Sequence, residues 1–454
     1  MLLDGEWELE GRPIRVPFAP QSKASGYTGK IGDILHYNCS FRLPSSFIKE
    51  KTLLHFGAID QIAEVYINGR TLGRHEGGYL SFCYDITDYV KKDSDNRLEV
   101  IALDTLSHHY PYGKQKKKPG GMWYTEVSGI WQSVWLENVP ASYLTRAKIT
   151  PDTRGFDIKV LTNCDTATPY TATDTSSPEG NPGRHTSDIR LRVFLPEGRR
   201  QVVYETVLSE GVGRIDIEDL NNNMDINEPP RLWTPDFPYL YELELIYGED
   251  RVSSYTALRE ISVKNIRGKS RVCLNGKPIF LHGLLDQGYF YDGIYTASSP
   301  EAYEADIVNV KALGYNFLRK HIKIEPEAFY YAADALGILV MQDMVNSGPY
   351  EYISETIIPN LTFKKRPDTL FTHMDRGRKD FFIQHCYDTI NQLYNHPCII
   401  AYTIFNEGWG QFESDSLYEM VREWDNTRLI DSTSGWFAQK KSDFKSEHIY
   451  FNNV

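Results

Sequence analysis

Short alternating runs of apolar and polar residues, broken by Gly, Asn and Asp, fill the chain from its start to residue 140. LLHFGAIDQIAEVYING (53–69) holds two such runs, and Asn68-Gly69 at its end is the dipeptide favoured by a two-residue hairpin. RLEVIAL (97–103) and IWQSVWLENV (130–139) alternate in the same way, and no long segment repeats at helical spacing. The pattern predicts a β jelly-roll sandwich over 1–140. It stays β from 141 to 266, where DIKVLTN, IRLRVFLP, VVYETVL, YLYELELIY and DRVSSYTAL have the spacing of an immunoglobulin-like β-sandwich. The polar insert Asp165–Ser187 has the composition of a mobile loop.

Beyond Arg267 the period changes. IFLHGLLD, YNFLRKH, ILVMQDM, IIAYTIFNE, RLIDSTSGW and EHIYF read as buried strands. Amphipathic helices separate them, including PEAYEADIVNVKALG, with a stripe of Tyr303, Ile307, Val308, Val310 and Leu313. Repeated β-then-α units imply a parallel sheet. Residues 267–454 therefore read as a (β/α)8 TIM barrel of which about six strands are present.

Composition narrows the partners. The formal charge is −12, and the one basic run, Lys114–Lys118, is short and flanked by Gly and Pro. It reads as a solvated loop, so nucleic acid is not expected as a partner. No stretch approaches the ~18 apolar residues that span a bilayer, and the N-terminus lacks a basic and an apolar signal region, so no membrane partner is expected. The six cysteines are scattered, without CxxC or metal-type spacing, so neither a zinc site nor another cofactor is indicated. Free thiols fit a cytoplasmic protein. Aromatic residues make up 13%, which suits either extra core or stacking on sugar rings.

Barrel chemistry sits at the C-terminal ends of strands. The polar residues that fall there are Asp286 and Gln287, Arg319 and His321, Gln342 and Asp343, Asn406 and Glu407, Ser434 and Trp436, and His448 and Tyr450. They form no metal-ligand set and no phosphate loop. Carboxylates, an Arg, His residues and aromatics are the inventory of a sugar site. In IIAYTIFNEGWGQF (399–412) an apolar run delivers Asn-Glu into Gly-Trp-Gly. A Glu beside aromatics can have its pKa raised by desolvation, which suits a general acid; it could equally cap a helix or pair with an Arg.

That strand-Asn-Glu motif with its Trp-containing loop resembles the acid/base signature of glycoside hydrolase family 2. VYINGRTLGRHEGGYLSFCYDIT (65–87) and MWYTEVSGIWQSVWLE (122–137) resemble the family's sugar-binding jelly roll. PPRLWTPDFPYLYELEL (229–245) resembles the end of its central sandwich, and 314–344 and DNTRLIDSTSGW (425–436) its barrel strands. The resemblance implies a retaining β-glycosidase, most like a β-galactosidase, with β-glucuronides or β-mannosides as alternative substrates. It assigns Glu407 as acid/base, Asn406 as the hydrogen bond to the sugar 2-hydroxyl, and Tyr450 as partner of the nucleophile. Arg319 would orient a carboxylate, and His448 would join the substrate-binding set. His321 follows Arg319 one residue sooner than in the better-known relatives, leaving sugar contact and a structural role both open. Asp286 and Asp343 are hydroxyl ligands or carboxylates supporting other side chains, and Trp409 and Trp436 are stacking platforms or core. The family's nucleophile, in a motif such as Ser-Glu-Phe-Gly on a seventh strand, is expected beyond the chain end, and Glu447 is no substitute. The chain is thus expected to be part of a longer protein. Completion by another chain, as in a homo-oligomer, and a non-catalytic carbohydrate-binding role are the alternatives.

Overall fold

Residues 1–47, 49–165, 188–194, 202–218, 230–357, 368 and 374–449 are described in a computed structural model. Most of the 165–187 insert lies outside them. The alternation at the start of the chain becomes two facing antiparallel sheets. One has six strands, in the order Arg12–Val16, Gly5–Leu9, Ile34–Arg42, Asp95–Leu103, Ile62–Ile67 and Arg70–Glu76. The other has Val134–Val139, Lys51–Phe56 and Phe82–Asp85. Inward-facing Leu9, Leu35, Leu54, Phe56, Val65, Ile67, Leu98, Val100 and Leu136 share one core between them. The Asn68-Gly69 hairpin forms, pairing Ile67 with Arg70, and both turn residues take the positive φ (53° and 77°) that a type I′ turn requires.

A second sandwich follows. Leu144–Pro151, Gly155–Thr162 and Val212–Asp216 face Val202–Leu208, Ile189–Phe194, Tyr241–Tyr247 and Asp250–Thr256, around Phe156, Ile158, Leu191, Leu243 and Leu245. The hairpin Ile261–Ile266/Lys269–Leu274 straddles the boundary expected at 266, so that border falls inside one antiparallel unit.

The rest is a parallel sheet of five strands in sequential order, β1 (Gly283–Asp286), β2 (Phe317–Lys320), β3 (Leu339–Asp343), β4 (Ile399–Asn406) and β5 (Leu429–Ser434). Helices α1 (Pro300–Ala312), α2 (Glu327–Leu336), α3 (Arg376–Leu393) and α4 (Ser414–Trp424) connect them in turn. The expected sixth strand does not form as far as it is described, because 444–449 run without sheet pairing and 450–454 lie outside the described residues. The stripe expected on α1 is narrower than its apolar residues suggest. Tyr303 and Ile307 are buried, whereas Val308 and Leu313 are 51% and 71% exposed. Among the described residues β1 is an edge strand, with Leu284 and Leu285 exposed. No helix of the described residues is long and apolar enough to cross a membrane. All six cysteines are free thiols. Helix α2 ends on Gly337 at φ 76°, where a Cβ would stand 2.6 Å from the Pro235 carbonyl oxygen; only glycine fits this close approach.

Buried polar groups join the second sandwich to the barrel. The Arg259 guanidinium donates to the carbonyls of Pro397 and Ile399 at 2.7 and 2.8 Å. Asp334 on α2, fully buried, accepts from Tyr255 of the sandwich (2.7 Å) and from His396 Nδ1 (2.7 Å), whose Nε2 reaches Glu327 at 2.8 Å. Burial alone would lower the His396 pKa, but Asp334 and Glu327 hold it up to about 10. Since this lies above the unfolded value of 6.5, the stabilisation is fully present below pH 6.5 and is lost as pH rises through about 10. Replacing His396→Gln should therefore lower the melting temperature by about 5 °C at pH 6, on the scale of a broken buried ion pair. In thermal melts across pH the gap between variant and parent should close toward pH 10–11.

Candidate active site

All eight residues of β4 are buried, as its apolar run requires, and the strand ends by delivering Asn406 and Glu407 to the mouth of the sheet. Glu407 leaves the strand in a left-handed backbone conformation (φ 55°), followed by Gly408 at 77°. Its N–H donates to Ser434 of β5 at 2.8 Å, and the Trp409 N–H closes back on the Asn406 carbonyl at 3.1 Å. A non-glycine residue in this region costs about 1–2 kcal/mol, a strain typical of functional turns. The turn lifts the Glu407 side chain to 20% exposure beside a strand that is otherwise sealed.

Around it, side chains from neighbouring strand ends are tied into one network. Asp343, the last residue of β3, is fully buried. Arg319 of β2 donates to both of its oxygens through Nε at 2.9 and 3.1 Å, and His321 Nδ1 meets Oδ2 at 2.8 Å. Burial would raise the Asp343 pKa, but the Arg319 charge and the hydrogen bonds from His321 and Arg319 hold it down at about 2. His321 shifts the other way, lowered by its own burial against the pull of Asp343. Neutral His321 therefore donates Nδ1–H to an ionised Asp343. Its buried Nε2 is left as an acceptor without a partner among the described residues. The buried Asn346 Nδ2 donor, just past β3, is likewise unpartnered. Leaving such a group dry costs about 1–3 kcal/mol, so both point to hydroxyl-bearing ligand or water.

Arg319 also donates to Asn406 Oδ1 at 2.9 Å, fixing the amide beside Glu407, and stands 3.3 Å from His448 Nε2. His448 bridges the Ser434 hydroxyl (3.0 Å) and Glu407 Oε1 (2.6 Å, through Nδ1). Arg319, His321, Asp343, Asn406, Glu407 and His448 thus converge. Asp286 sits in a separate cluster, with Oδ2 on the buried Lys320 at 2.6 Å and Oδ1 on the Gly288 N–H at 2.8 Å. Burial would raise its pKa, and Lys320 holds it below the ordinary value. Both Asp286 oxygens are thus engaged within the protein, as both Asp343 oxygens are.

The tryptophans take their core alternative. Trp409 is 2% exposed, bonded through Nε1 to the Gly348 carbonyl and packed edge-on against Tyr112, Trp123 and Tyr350. Trp436 is 3% exposed and donates to the Glu355 and Glu407 carbonyls. Both brace the Glu407 turn, and neither shows a ring face to solvent. Tyr450 lies outside the described residues. Glu447 is 57% exposed, with Lys445 at 3.8 Å. What the sequence did not disclose is the reach of the first sandwich, whose 106–125 loop enters the mouth. The N–H groups of Tyr112 and Gly113 donate to the Asn346 carbonyl at 3.0 and 3.3 Å. Nothing in the run of residues around Lys114 signals that approach.

Known proteins share this architecture. The family description "Glycosyl hydrolases family 2, sugar binding domain" matches residues 6–140, and "Glycosyl hydrolases family 2, TIM barrel domain" matches 264–452. A putative β-glucuronidase of Formosa agariphila is 27% identical over 363 residues, 78% of this chain and 37% of that protein. A β-galactosidase of Thermoanaerobacter pseudethanolicus is 27% identical over 379 residues, 81% of this chain and 44% of that protein. The chain thus spans 37% and 44% of the length of these two relatives. The solved structure of an uncultured Clostridium sp. β-glucuronidase superposes with a TM-score of 0.72 at 19% identity, over 96% of this chain and 72% of that one.

Removing one side of the buried pair leaves the other charge stranded. Asp343→Asn should cost about 3–5 kcal/mol in denaturant unfolding at pH 7. The penalty should shrink as pH falls from 3.8 toward 2, where Asp343 itself protonates. The double variant Arg319→Met/Asp343→Leu should recover much of that loss.

Proposed function

The chain belongs to glycoside hydrolase family 2, and we propose that its cleft is the acid/base half of a retaining β-glycosidase acting on a terminal β-linked sugar. The observation that carries this reading is Glu407, held out of β4 by a left-handed turn beside an Asn406 amide locked by Arg319. In a retaining mechanism two carboxyl groups stand ~5–5.5 Å apart. Glu407 would protonate the leaving oxygen while the second attacks the anomeric carbon. Glu407, then a base, would take a proton from the water that releases the sugar. Its bond to His448 Nδ1 offers a route for adjusting that proton between the two steps. Asn406 would bond the sugar 2-hydroxyl, and the unpartnered His321 Nε2 and Asn346 Nδ2 would take further hydroxyls.

Asp343 is engaged by Arg319 and His321, and Glu447 is 57% exposed beside Lys445, so we assign the nucleophile's role to neither. The exposed apolar edge of β1 supports a sheet that continues, as in a (β/α)8 barrel. In front of it we infer a jelly roll over 1–140 and, from 141, an immunoglobulin-like sandwich that runs up to the hairpin 261–274. A carbohydrate is the partner. Galactoside is the first substrate from the sequence, and glucuronide stands beside it, since the relatives bear both names.

The test is Glu407→Gln in the complete protein, assayed on aryl β-glycosides. The expected loss in kcat/KM is about 100- to 10,000-fold for poor leaving groups and much less for a dinitrophenolate, which needs no protonation. Equal loss on both substrates would remove Glu407 from the acid role. Sugar binding without any turnover would favour the non-catalytic alternative.

A further inference from the structure

A cavity opens on the flank of the barrel, at the seam with the second sandwich. Its volume is about 360 Å³, within the ~300–1,000 Å³ of small-molecule sites, which favour junctions between domains. The edge strand Asp250–Thr256 of that sandwich supplies Ser254 and Tyr255. Helix α2 supplies Glu327 and Tyr331, and Gln392 at the end of α3 and Asn395 just past it close the far side. None of the residues gathered at the mouth lines it.

The wall is set by bonds to the surrounding protein. Tyr255 is tied through its hydroxyl to Asp334 at 2.7 Å, and its ring meets the exposed ring of Tyr331 at 5.5 Å and 69°. Asn395 has both ends of its amide engaged, accepting from the Ile149 N–H (2.9 Å) and donating to the Ala147 carbonyl (2.8 Å). The Gln392 Oε1 accepts from the N–H and the hydroxyl of Ser81, in the first sandwich, at 3.1 and 3.0 Å. That orients the Gln392 amide and leaves its Nε2 donors without a partner among the described residues. Glu327 gives one oxygen, Oε2, to His396 and keeps the other, and the hydroxyls of Ser254 and Tyr331 are likewise unengaged among the described residues. On a pre-ordered frame the cavity therefore presents an amide donor, a carboxylate acceptor, two hydroxyls that can do either, and a tyrosine ring.

Charge narrows the ligand. His396, the cationic member of the lining, lies between Asp334 and Glu327 and is neutralised by them, so an anion finds no free positive charge there. Glu327 already carries that ion pair, so nothing calls for a cation either. What fits is a neutral molecule with several hydroxyls and a flat C–H face. Its hydroxyls would accept from Gln392 and donate to Glu327, and its C–H face would cover the tyrosine. We propose that this cavity is a second carbohydrate site that takes a neutral pyranose. The site is independent of Glu407 and of the reading of the mouth. Its role is to retain carbohydrate at the protein surface, raising its local concentration.

Fluorine NMR of the 454-residue chain labelled with 3-fluorotyrosine tests it, with the Tyr331 signal identified by its loss in Tyr331→Phe. The probes are methyl β-D-galactoside and methyl β-D-glucoside, with glycerol as the control for a general polyol effect. The expected result is a saturable shift of the Tyr331 signal with one or both glycosides and none with glycerol. Gln392→Ala should weaken that binding about five- to tenfold, on the scale of one lost hydrogen bond, and Ser254→Ala by less. Thermal melts of both variants monitor folding. Asn406→Ala, which alters the mouth, should leave the titration unchanged. The second site is overturned by the absence of a saturable shift, or by one that glycerol reproduces. It is equally overturned by a shift that both Gln392→Ala and Ser254→Ala leave at parental affinity, or that Asn406→Ala abolishes. Each of those outcomes leaves the role of Glu407 standing, since turnover decides that.

Discussion

Burying the Asp343 carboxylate completely obliges the fold to surround it with donors, and the way it does so sets the geometry of the mouth. An isolated carboxylate in that position would cost several kcal/mol in lost hydration. Arg319 and His321 repay it from the neighbouring strand and the residue just past it. Once Arg319 is aligned on Asp343, its remaining nitrogens are directed at Asn406 and His448. The same pairing fixes the His321 tautomer, because an ionised Asp343 takes the proton on Nδ1. One buried charge thereby orders groups from three strands and presents an acceptor, an amide and a carboxyl side by side.

The Glu407 turn depends on a second constraint. Its left-handed backbone is held by the bond to Ser434 and by two buried indoles, Trp436 donating to the Glu407 carbonyl and Trp409 tying the turn to the Gly348 carbonyl. The tryptophans look like sugar platforms in sequence because a platform and a brace need the same residue, large and flat with one polar edge. Which role applies is decided by where that edge finds its acceptor, and both acceptors lie inside the protein.

The β-domains are part of the site rather than a preface to it. The first sandwich anchors Gln115 beneath the mouth and lays Tyr112 and Gly113 on Asn346. The second locks onto α2 and the start of β4 through Arg259, Tyr255 and His396. Each junction sets buried charged or polar groups of specific geometry into apolar packing, with Trp131 and Trp233 in the same core as Leu318 and Phe329. The polar groups favour one relative placement of the units over the sliding that an apolar interface alone would tolerate.

Local pattern was enough for most of the elements, the sixth barrel strand excepted as far as it is described. Period-two alternation, the Asn68-Gly69 turn and the shift to β-then-α after Arg267 each follow from short-range chemistry, and the structure has them where the pattern put them. Strand ends followed for Arg319, His321, Asp343, Asn406 and Glu407, whereas His448, collected with an expected sixth strand, reaches the mouth from a segment without sheet pairing. Roles were not legible, because a role is set by who occupies the other lone pair. Asp286 and Asp343 are spent on cations, Trp409 and Trp436 on carbonyls, and Val308 and Leu313 lie on the outer side of a stripe that only packing could narrow. The loop around Gly113 is the sharpest case, since nothing in its sequence announces that its backbone donates to the Asn346 carbonyl at the mouth. Sequence alone determined which residues could form strands, helices and a polar mouth, since those depend on neighbours along the chain. Tertiary structure decided which polar atoms are left without partners, since that depends on neighbours hundreds of residues away.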